Sequence, residues 1–301
     1  MSDKKNIKFS IIVPAFNEGN SVKNILEDLA SYLESNFSRD RYEILVVDDG
    51  STDSTFERAG SVEGVKVYRQ PMNLGYGAAI KRGVREAAFD WIFLMDSDGQ
   101  HKVENLDEFI GKAEEGYLLV IGARKKNSHS LWWRQPGKRL INTIANLLSD
   151  VPILDINSGM RLLRKDVFLR YEAIYPNGFS ITTTMTLAVA GDGFPMAFVP
   201  ITTYPREGRS SNVSFIKDGI NTLVNVVRAI SLFNPLRVFI PSSLVCLALG
   251  LYYGITNILN LGRLSRTSIV CLMIGALLFL FGILADQLAL LRRQHGISDK
   301  N

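Results

Sequence analysis

Carboxylate and amide side chains are concentrated in three short segments of this 301-residue sequence, each directly after an apolar run. The segments occupy residues 14–18, 48–53 and 96–100. Alternate residues of an extended segment face the same way, so Asp96, Asp98 and Gln100 can bring three oxygens to one point. Such ligands suit Mg²⁺ or Mn²⁺, and a bound cation would neutralise the charge that develops on a departing nucleoside diphosphate. These residues therefore predict a metal-assisted transfer from a nucleotide-linked donor.

The apolar runs that precede these segments predict a mostly parallel sheet. Five runs are predicted to be strands, at residues 9–14, 42–47, 65–68, 91–95 and 118–122. Amphipathic stretches lie between them, the first from about Glu18, and strands joined by helices in this order form right-handed crossovers. Ligands bind such sheets at the carboxyl ends of the strands, where the polar segments fall. The predicted fold class is α/β with a Rossmann-like sheet.

Two other nucleotide-binding patterns are missing from the positions that they require. No G-x-G-x-x-G follows the first strand, and Gly75 and Gly77, which follow the third, lack the third glycine of that pattern. The sequence also contains no P-loop. These observations exclude a dinucleotide-dependent oxidoreductase and a P-loop NTPase.

Composition indicates a folded domain with a few membrane segments. Hydrophobic residues make up 47% of the chain, which is high for a wholly soluble protein and low for one that crosses the membrane many times. The net charge of +4 is spread along the chain, so no nucleic-acid partner is expected. Cys246 and Cys271 lie in apolar stretches without metal-ligand spacing and are expected to be plain apolar side chains.

Two uncharged segments near the C-terminus, 239–261 and 267–285, approach the length needed to cross a bilayer as helices. The link between them is short, which predicts a transmembrane hairpin, although a hairpin buried in a soluble core would show the same pattern. Basic residues flanking the hairpin outnumber those in its turn, so both ends and the catalytic domain are expected in the cytoplasm. Residues 214–233 form an amphipathic pattern that suits either an interfacial helix or packing against the globular domain.

These patterns divide the chain into four predicted parts. They are a catalytic domain at 1–212, an interfacial helix at 213–235, the transmembrane hairpin at 236–292 and a cytosolic tail at 293–301.

The polar segments together resemble the family 2 glycosyltransferases of GT-A fold, in particular dolichol-phosphate mannose synthases and related polyprenyl-phosphate sugar transferases. The resemblance spans roughly residues 7–212 and is carried by the segments 13–18, 46–53, 73–77, 96–101, 122–124, 155–161 and 206–211. It implies a GT-A nucleotide-sugar-binding domain, a nucleotide-sugar donor and a polyprenyl phosphate acceptor in the bilayer.

The resemblance also implies roles for individual residues. Nucleotide-binding roles fall on Pro14, Ala15, Asn17, Glu18, Asp48, Asp49, Gly50, Asp53, Gly77, Asp96 and Ser97. The residues implied to bind the metal are Asp96, Asp98 and Gln100. Those implied to bind the acceptor phosphate are Arg124, Lys138, Arg139, Thr143, Ser158 and Arg209. Catalytic roles are implied for Asp98, Arg124 and Arg209.

The kind of acceptor is predicted from the absence of a carboxylate in one segment of the sequence. Relatives that glycosylate hydroxyls usually present a carboxylate base on the helix after the acceptor loop, whereas residues 179–185 contain none. A phosphate is already an anionic nucleophile and needs arginines to hold it in line rather than a base. We therefore expect an inverting transfer of a hexose from a GDP-mannose or UDP-glucose type of donor to dolichyl or undecaprenyl phosphate.

Two alternatives remain open from the sequence. One is transfer to a lipid or glycan hydroxyl in cell-envelope polysaccharide synthesis, and the other is a non-catalytic nucleotide-sugar-binding membrane scaffold. The donor sugar, the oligomeric state and the role of Thr182 to Thr184 are not predicted.

Overall fold

The structure is a computed structural model that describes residues 7–97, 99, 105–124, 154–202 and 235–298, with side chains up to Leu291. Within these residues one sheet contains the strands β1 Phe9–Ala15, β2 Tyr42–Asp48, β3 Val65–Arg69, β4 Trp91–Leu94, β5 Leu119–Arg124, β6 Arg161–Arg164 and β7 Met196–Ile201. The α-helices are α1 Val22–Asn36, α2 Thr55–Gly60, α3 Tyr76–Glu86, α4 Leu106–Glu114, α5 Lys165–Arg170, α6 Ile181–Gly191, α7 Leu236–Leu261 and α8 Arg266–Ser298.

The sheet is mostly parallel, as the sequence predicts. Its order is β3-β2-β1-β4-β6-β5-β7, and only β6 runs antiparallel to its neighbours β4 and β5. The five predicted strands are all present, and their ends differ from the prediction by no more than two residues. The strands β6 and β7 were not predicted. The strand β6 is hard to recognise because it has only two apolar residues, which lie between Arg161 and Arg164.

Helices cover both faces of the sheet and bury an apolar layer on each. One layer includes the inner faces of α1 and α4, and the other includes those of α3, α5 and α6. Burial of these side chains supplies most of the stabilisation of such a domain. The strand ends therefore form a fixed edge on which the polar loops stand.

The helix α1 begins at Val22 rather than near Glu18. The Glu18 carbonyl accepts the backbone N–H groups of Ser21 and Val22, which makes a turn before the helix. The Gly19 N–H donates to the side chain of Asp53 (3.0 Å), which holds this turn against the loop after β2. Local periodicity cannot show a contact with a distant loop.

The helices α7 and α8 form the predicted apolar hairpin. Both Leu236–Leu261 and Arg266–Leu291 are long and apolar enough to cross a bilayer. The first helix ends at Gly262, which adopts a left-handed φ of 62°. It begins three residues before the predicted segment, and Pro241 lies inside the helix.

Small residues let the two hairpin helices approach closely. The Ser243 hydroxyl donates to the Gly275 carbonyl (2.8 Å), and the Ser268 hydroxyl donates to the Gly250 carbonyl (2.7 Å). A methyl group added at Gly250 would come within 3 Å of the Leu272 side chain. Small residues and interhelical hydrogen bonds of this kind hold helices together in lipid.

Candidate active site at the carboxyl edge of the sheet

The loops that follow β1, β2 and β4 meet at one point of the edge. Ala15 and Asp48, the last residues of β1 and β2, are paired in register. The Asp49 N–H donates to the Ala15 carbonyl (2.9 Å), and the Ser97 hydroxyl donates to the Pro14 carbonyl (2.9 Å). The predicted nucleotide-binding residues of these three loops are therefore brought together.

Asn17 connects the first loop to the second. It adopts a φ of 54°, a left-handed conformation that asparagine tolerates better than most residues. Its backbone N–H donates to the Ser51 hydroxyl (2.9 Å), and its side-chain oxygen accepts the Thr52 N–H (2.8 Å). The Asn17 side chain therefore fixes the relative position of the two loops.

Glu18 and Asp53 lie where the same two loops reach α1 and α2. The Glu18 N–H donates to the Thr55 hydroxyl (2.9 Å), and the Gly19 N–H donates to the Asp53 carboxylate (3.0 Å). Burial alone would raise the pKa of Asp53, but hydrogen bonds from Thr55 and Gly19 outweigh it and lower that pKa. Asp53 is thus held as an anion by the loops that it joins.

Asp48 is fully buried at the end of β2. One carboxylate oxygen accepts the Ser51 N–H (3.0 Å). The other lies 3.3 Å from Arg69 Nε but makes no hydrogen bond with any residue that the structure describes. A buried acceptor of this kind is costly unless a donor completes it.

The carboxylate of Asp49 accepts hydrogen bonds from other residues of the protein. Its carboxylate accepts the side-chain amide of Gln70 (2.8 Å) and the backbone N–H groups of Leu74 and Gly75 (both 2.9 Å). Burial raises the pKa of Asp49, and the neighbouring Asp48 adds to that effect. Asp49 therefore positions the loop between β3 and α3.

Gly50 and Gly77 allow close backbone approach in this region. Gly50 has a φ of 71°, and a Cβ there would lie 2.4 Å from the backbone of Met72. The Gly77 N–H at the start of α3 donates to the Asn177 carbonyl (2.6 Å), and a Cβ at Gly77 would lie 2.3 Å from the Pro176 carbonyl oxygen. The segment before α6 is thus docked on the N-terminus of α3.

Asp96 stands at the centre of the edge, directly after β4. One of its oxygens accepts the Tyr76 hydroxyl (2.6 Å). The ring of Tyr76 stacks on that of Phe179, with centroids 5.2 Å apart and an interplanar angle of 21°. The second oxygen of Asp96 faces Gly159, where a Cβ would lie 2.0 Å away.

The two other predicted metal ligands, Asp98 and Gln100, lie outside the described residues. Among those that are described, no group of three or more His, Cys, Asp or Glu side chains is arranged to hold a metal ion. The predicted ligand set therefore stays a prediction, with Asp96 as its one described member.

Arg124 at the end of β5 forms a bidentate ion pair with Asp155. Its Nε donates to Asp155 Oδ2 (2.6 Å), and its Nη2 donates to Oδ1 (2.8 Å). Burial alone would raise the pKa of Asp155 and lower that of Arg124. Their mutual hydrogen bonds and charges outweigh burial, so the pKa of Asp155 is lowered and that of Arg124 is raised.

Ser158 is the other predicted acceptor-phosphate residue that the structure describes. Its side chain is buried, and its hydroxyl has no hydrogen-bond partner among the described residues. The remaining predicted phosphate ligands, namely Lys138, Arg139, Thr143 and Arg209, lie outside the described part of the chain.

Arg161 is a central residue whose role the sequence did not reveal. It is completely buried, and its guanidinium donates to four acceptors, each 2.7–3.0 Å away. The acceptors are the carbonyls of Ile156, Ser158 and Thr182 and the hydroxyl of Thr186. Burial lowers the pKa of Arg161 to about 10, so it remains a cation at neutral pH.

The Thr run, which had no predicted role, forms the buried first turns of α6. The hydroxyls of Thr182, Thr184 and Thr186 donate to carbonyls three or four residues earlier, and that of Thr183 donates to the Asn157 side chain (2.7 Å). Three of these hydroxyls are paired within the helix and its first turn and the fourth is paired with Asn157, which allows a polar run to be buried.

The fold is an α/β sheet with polar loops gathered at its carboxyl edge, and comparison with known proteins identifies its family. Residues 10–171 match Glycosyl transferase family 2, and residues 234–291 match the GtrB C-terminal hairpin. The first match covers more than half of the chain, so this protein belongs to glycosyl transferase family 2 and is a glycosyltransferase.

Three curated relatives are similar over different parts of the chain. The glycosyltransferase AglJ of Haloferax volcanii is 28% identical over 94% of this chain and 94% of that protein. The dolichol-phosphate mannosyltransferase of Pyrococcus furiosus is 31% identical over 65% of this chain and 56% of its own. The undecaprenyl-phosphate 4-deoxy-4-formamido-L-arabinose transferase of Proteus mirabilis is 29% identical over 53% of this chain and 50% of its own.

A solved structure confirms the GT-A-like fold. Glucosyl-3-phosphoglycerate synthase of Mycobacterium tuberculosis, crystallised with Mn²⁺, UDP-glucose and phosphoglyceric acid, superposes with a TM-score of 0.58 at 18% identity. The match covers 74% of this chain and 80% of that chain.

Proposed function

We propose that this glycosyltransferase moves a hexose, with inversion, from a nucleoside-diphosphate sugar to a polyprenyl phosphate. The observation that carries the proposal is the arrangement at the end of β5 and the start of α6. A fixed arginine, Arg124, stands at the edge of the sheet, whereas the first turns of α6 contain no carboxylate that could serve as a base. This combination suits an acceptor that arrives as an anion.

The donor side supports a nucleotide ligand. The second oxygen of Asp48 is buried without a hydrogen-bond donor from the described residues, and it lies beside the loops that carry Pro14 and Ser97. A base N–H of a bound nucleotide would supply the missing donor. The proposal covers both a GDP-mannose type and a UDP-glucose type of donor, and it specifies neither the base nor the hexose.

A divalent cation, Mg²⁺ or Mn²⁺, is part of the proposal. Asp96 fits a role in its site because it stands at the edge of the sheet and only one of its oxygens accepts the Tyr76 hydroxyl. Asp98 and Gln100 would complete the oxygen ligands. When bound, the ion supplies charge neutralisation on the leaving diphosphate.

The chain's own residues then have simple tasks. Arginines such as Arg124 and Arg209 hold the acceptor phosphate in line with the anomeric carbon and stabilise its charge. No proton has to leave the nucleophile, because the phosphate is already ionised at neutral pH. Two of the relatives support this acceptor, since their names specify transfer to undecaprenyl phosphate and to dolichol phosphate.

The hairpin suits a lipid-linked acceptor. We propose that α7 and α8 cross the bilayer with both ends in the cytoplasm, which places the catalytic domain on the cytoplasmic side, and that residues 213–235 lie at the interface. The apolar hairpin is long enough for this arrangement, and basic residues flank it more densely than they occupy its turn.

The test is to recover the product. Purified protein is incubated with a radiolabelled GDP- or UDP-hexose, Mn²⁺ and either polyprenyl phosphate or a neutral lipid with a hydroxyl group. The proposal expects label in a lipid that withstands alkali and is released by mild acid, formed only with the phosphate. If label is recovered only with the hydroxyl lipid, the acceptor is a hydroxyl and not a phosphate, and the proposal is wrong. Donor binding without transfer to either lipid would favour a binding scaffold.

The metal role is tested by Asp98→Ala. We expect transfer to be lost and membrane insertion to be unchanged, because the substitution removes one ligand of the cation and nothing from the hairpin. Asp28→Ala, on the exposed side of α1, is the control that should keep full activity. Full activity of Asp98→Ala would reject the metal role.

A further inference from the structure

We propose that Asp155 is a positioning residue that holds Arg124 in the orientation needed to receive the acceptor phosphate. The inference rests on the proposed function, since it assigns the phosphate to Arg124. Asp155 begins one of the segments that carry the family resemblance, but no individual role is predicted for it from the sequence.

The pair has the geometry of a fixed fork. Two of the five N–H bonds of the Arg124 guanidinium are directed to the two oxygens of Asp155, at 2.6 and 2.8 Å. The other three have no acceptor among the residues that the structure describes. Because the guanidinium is planar, fixing one edge of it also fixes the direction of the remaining donors.

The pair is also sheltered from water. The side chain of Asp155 is 13% exposed and that of Arg124 is 28% exposed. Ion pairs in the open contribute little because water screens them and both side chains lose freedom. A partly buried bidentate pair keeps its geometry, which is what an orienting contact requires.

Arg161 makes the loop that carries Asp155 rigid. It donates to the carbonyls of Ile156 and Ser158 on this loop, at 3.0 and 2.7 Å. The same guanidinium donates to the Thr182 carbonyl of α6 (2.8 Å), so the loop is fastened to the helix behind it. Asp155 thus stands on a support that is itself anchored in the core.

Asn157 adds a second fastening. Its side-chain oxygen accepts the Thr183 hydroxyl (2.7 Å), and its backbone N–H donates to Asp155 Oδ1 (3.2 Å). The buried run of α6 and the carboxylate that grips Arg124 are therefore joined through one residue. The geometry assigns to this loop the task of aiming Arg124.

The experiment compares Asp155→Asn with a matched control, Asp166→Asn. Asp166 forms the same bidentate contact with Arg164, but at the far end of β6, where Arg164 pairs with Trp91 at the start of β4. KM values for polyprenyl phosphate and for the sugar nucleotide, kcat and the thermal midpoint are measured for the full-length protein in detergent.

We expect Asp155→Asn to raise the KM for polyprenyl phosphate by roughly 10-fold to 100-fold. The KM for the sugar nucleotide should stay within about 2-fold, because the hydrogen bonds of Asp155 go to Arg124 and Asn157 rather than to the donor loops. Asp166→Asn should leave both values within about 2-fold. An unchanged acceptor KM, or equal increases in both KM values, would overturn the inference.

A double variant separates positioning from support of the fold. If Asp155 acts through Arg124, adding Asp155→Asn to Arg124→Gln should change the acceptor KM by less than about 2-fold, because the effects are not additive. Additive effects would contradict the inference. If Asp155→Asn does not fold, Arg124→Lys is measured instead; it keeps the charge but loses the fork, and an unaltered acceptor KM would again overturn the inference.

Failure of the proposed function would look different. In that case the unsubstituted protein would transfer no sugar to polyprenyl phosphate. The inference about Asp155 fails when the unsubstituted protein is active with that acceptor and the Asp155→Asn variants give one of the contradicting results described above.

Discussion

Arg161 places a full positive charge inside the domain with only neutral acceptors around it. Three carbonyl oxygens and one hydroxyl receive its N–H bonds, and the side chain is completely buried. A buried ion is costly unless its hydrogen bonds are nearly complete, and removing it leaves buried carbonyls that only it had bound without a donor.

We therefore expect Arg161→Met to destabilise the protein strongly. An apolar side chain of similar length fills the space but leaves the carbonyls of Ile156 and Ser158 without the donor that Arg161 supplied, each costing about 1–3 kcal/mol. The Thr182 carbonyl still accepts the Thr186 hydroxyl. Even about 2 kcal/mol would lower the thermal midpoint of a domain of this size by about 4–8 °C. Thermal unfolding in detergent measures this.

The control for that prediction is Arg164→Met at the other end of the same strand. The Arg164 side chain is 43% exposed, so its loss should shift the midpoint by less than about 2 °C. Equal shifts for both substitutions would show that the buried hydrogen bonds of Arg161 carry no special weight.

The residues with proposed chemical roles were easier to predict than those that support them. Asp48 and Asp96 were predicted from the acidic segments that follow apolar runs, and Arg124 was predicted from the family resemblance. The structure places all three at the same edge of the sheet. The ion pair of Asp155 with Arg124 spans 31 residues, and the hydrogen bond from Arg161 to Thr182 spans 21. No local pattern in the sequence encodes those contacts.

At the scale of elements, the N-terminus of α3 is joined to the segment before α6. The Asn177 carbonyl accepts the N–H groups of Gly77 and Ala78, which would otherwise be unpaired at the start of a helix. This contact requires the backbones to approach so closely that only glycine fits at position 77.

Gly77→Ala should therefore be destabilising. The added methyl would overlap the Pro176 carbonyl oxygen, and relieving such overpacking typically costs about 1–3 kcal/mol. Gly111→Ala is the matched control in α4, where nothing lies within 4 Å of the new methyl. It should be stabilising by about 0.5–1 kcal/mol, since alanine favours a helix. Thermal midpoints that change in the same direction would contradict this account.

Glu43 in β2 joins several elements at the end of the sheet away from the site, and its contacts predict how stability depends on pH. Its carboxylate accepts the Ser10 hydroxyl and the Ala88 N–H (both 2.6 Å) and pairs with Lys66 (2.9 Å). Burial alone would raise the pKa of Glu43, but these contacts lower it below the usual value of 4.5. Its stabilising contribution is therefore complete above pH 4.5 and is lost as the pH falls through the lowered value.

Glu43→Gln should accordingly lower the thermal midpoint at pH 7 and have a smaller effect as the pH falls below 4.5. Thermal unfolding between pH 7 and pH 3.5 measures the difference between the two proteins. Glu57→Gln, on the exposed face of α2, serves as the control. A difference for Glu43→Gln that stays constant with pH would contradict the assignment.

The antiparallel strand β6 shows why part of the sheet was not predicted. The parallel strands present their C-terminal ends to the site, so the residues after each strand carry the chemistry. β6 runs the other way, and its first residue, Arg161, pairs with the last residue of β4, Leu94. The loop 154–160 therefore precedes its strand, so its position after an apolar run could not indicate it, and only the family resemblance drew attention to the segment 155–161.

The whole molecule joins an α/β domain to an apolar hairpin, and the proposed orientation of the chain in the membrane can be tested. We expect Arg263→Cys, placed in the turn between α7 and α8 after Cys246 and Cys271 are replaced by serine, to react with an impermeant thiol reagent added outside the cell. Lys8→Cys in the catalytic domain should react only after the membrane is opened. The reverse pattern would place the catalytic domain outside.

The close contact of α7 with α8 has a consequence for how the hairpin can diverge among relatives. Gly250 and Gly275 each receive a leucine of the opposite helix, Leu272 and Leu247 respectively, and tolerate no larger side chain without separating the helices. Outward residues such as Leu259, which is 79% exposed, need only remain apolar. Over evolutionary time the glycine positions should accept almost no substitution while the outward positions drift among apolar types.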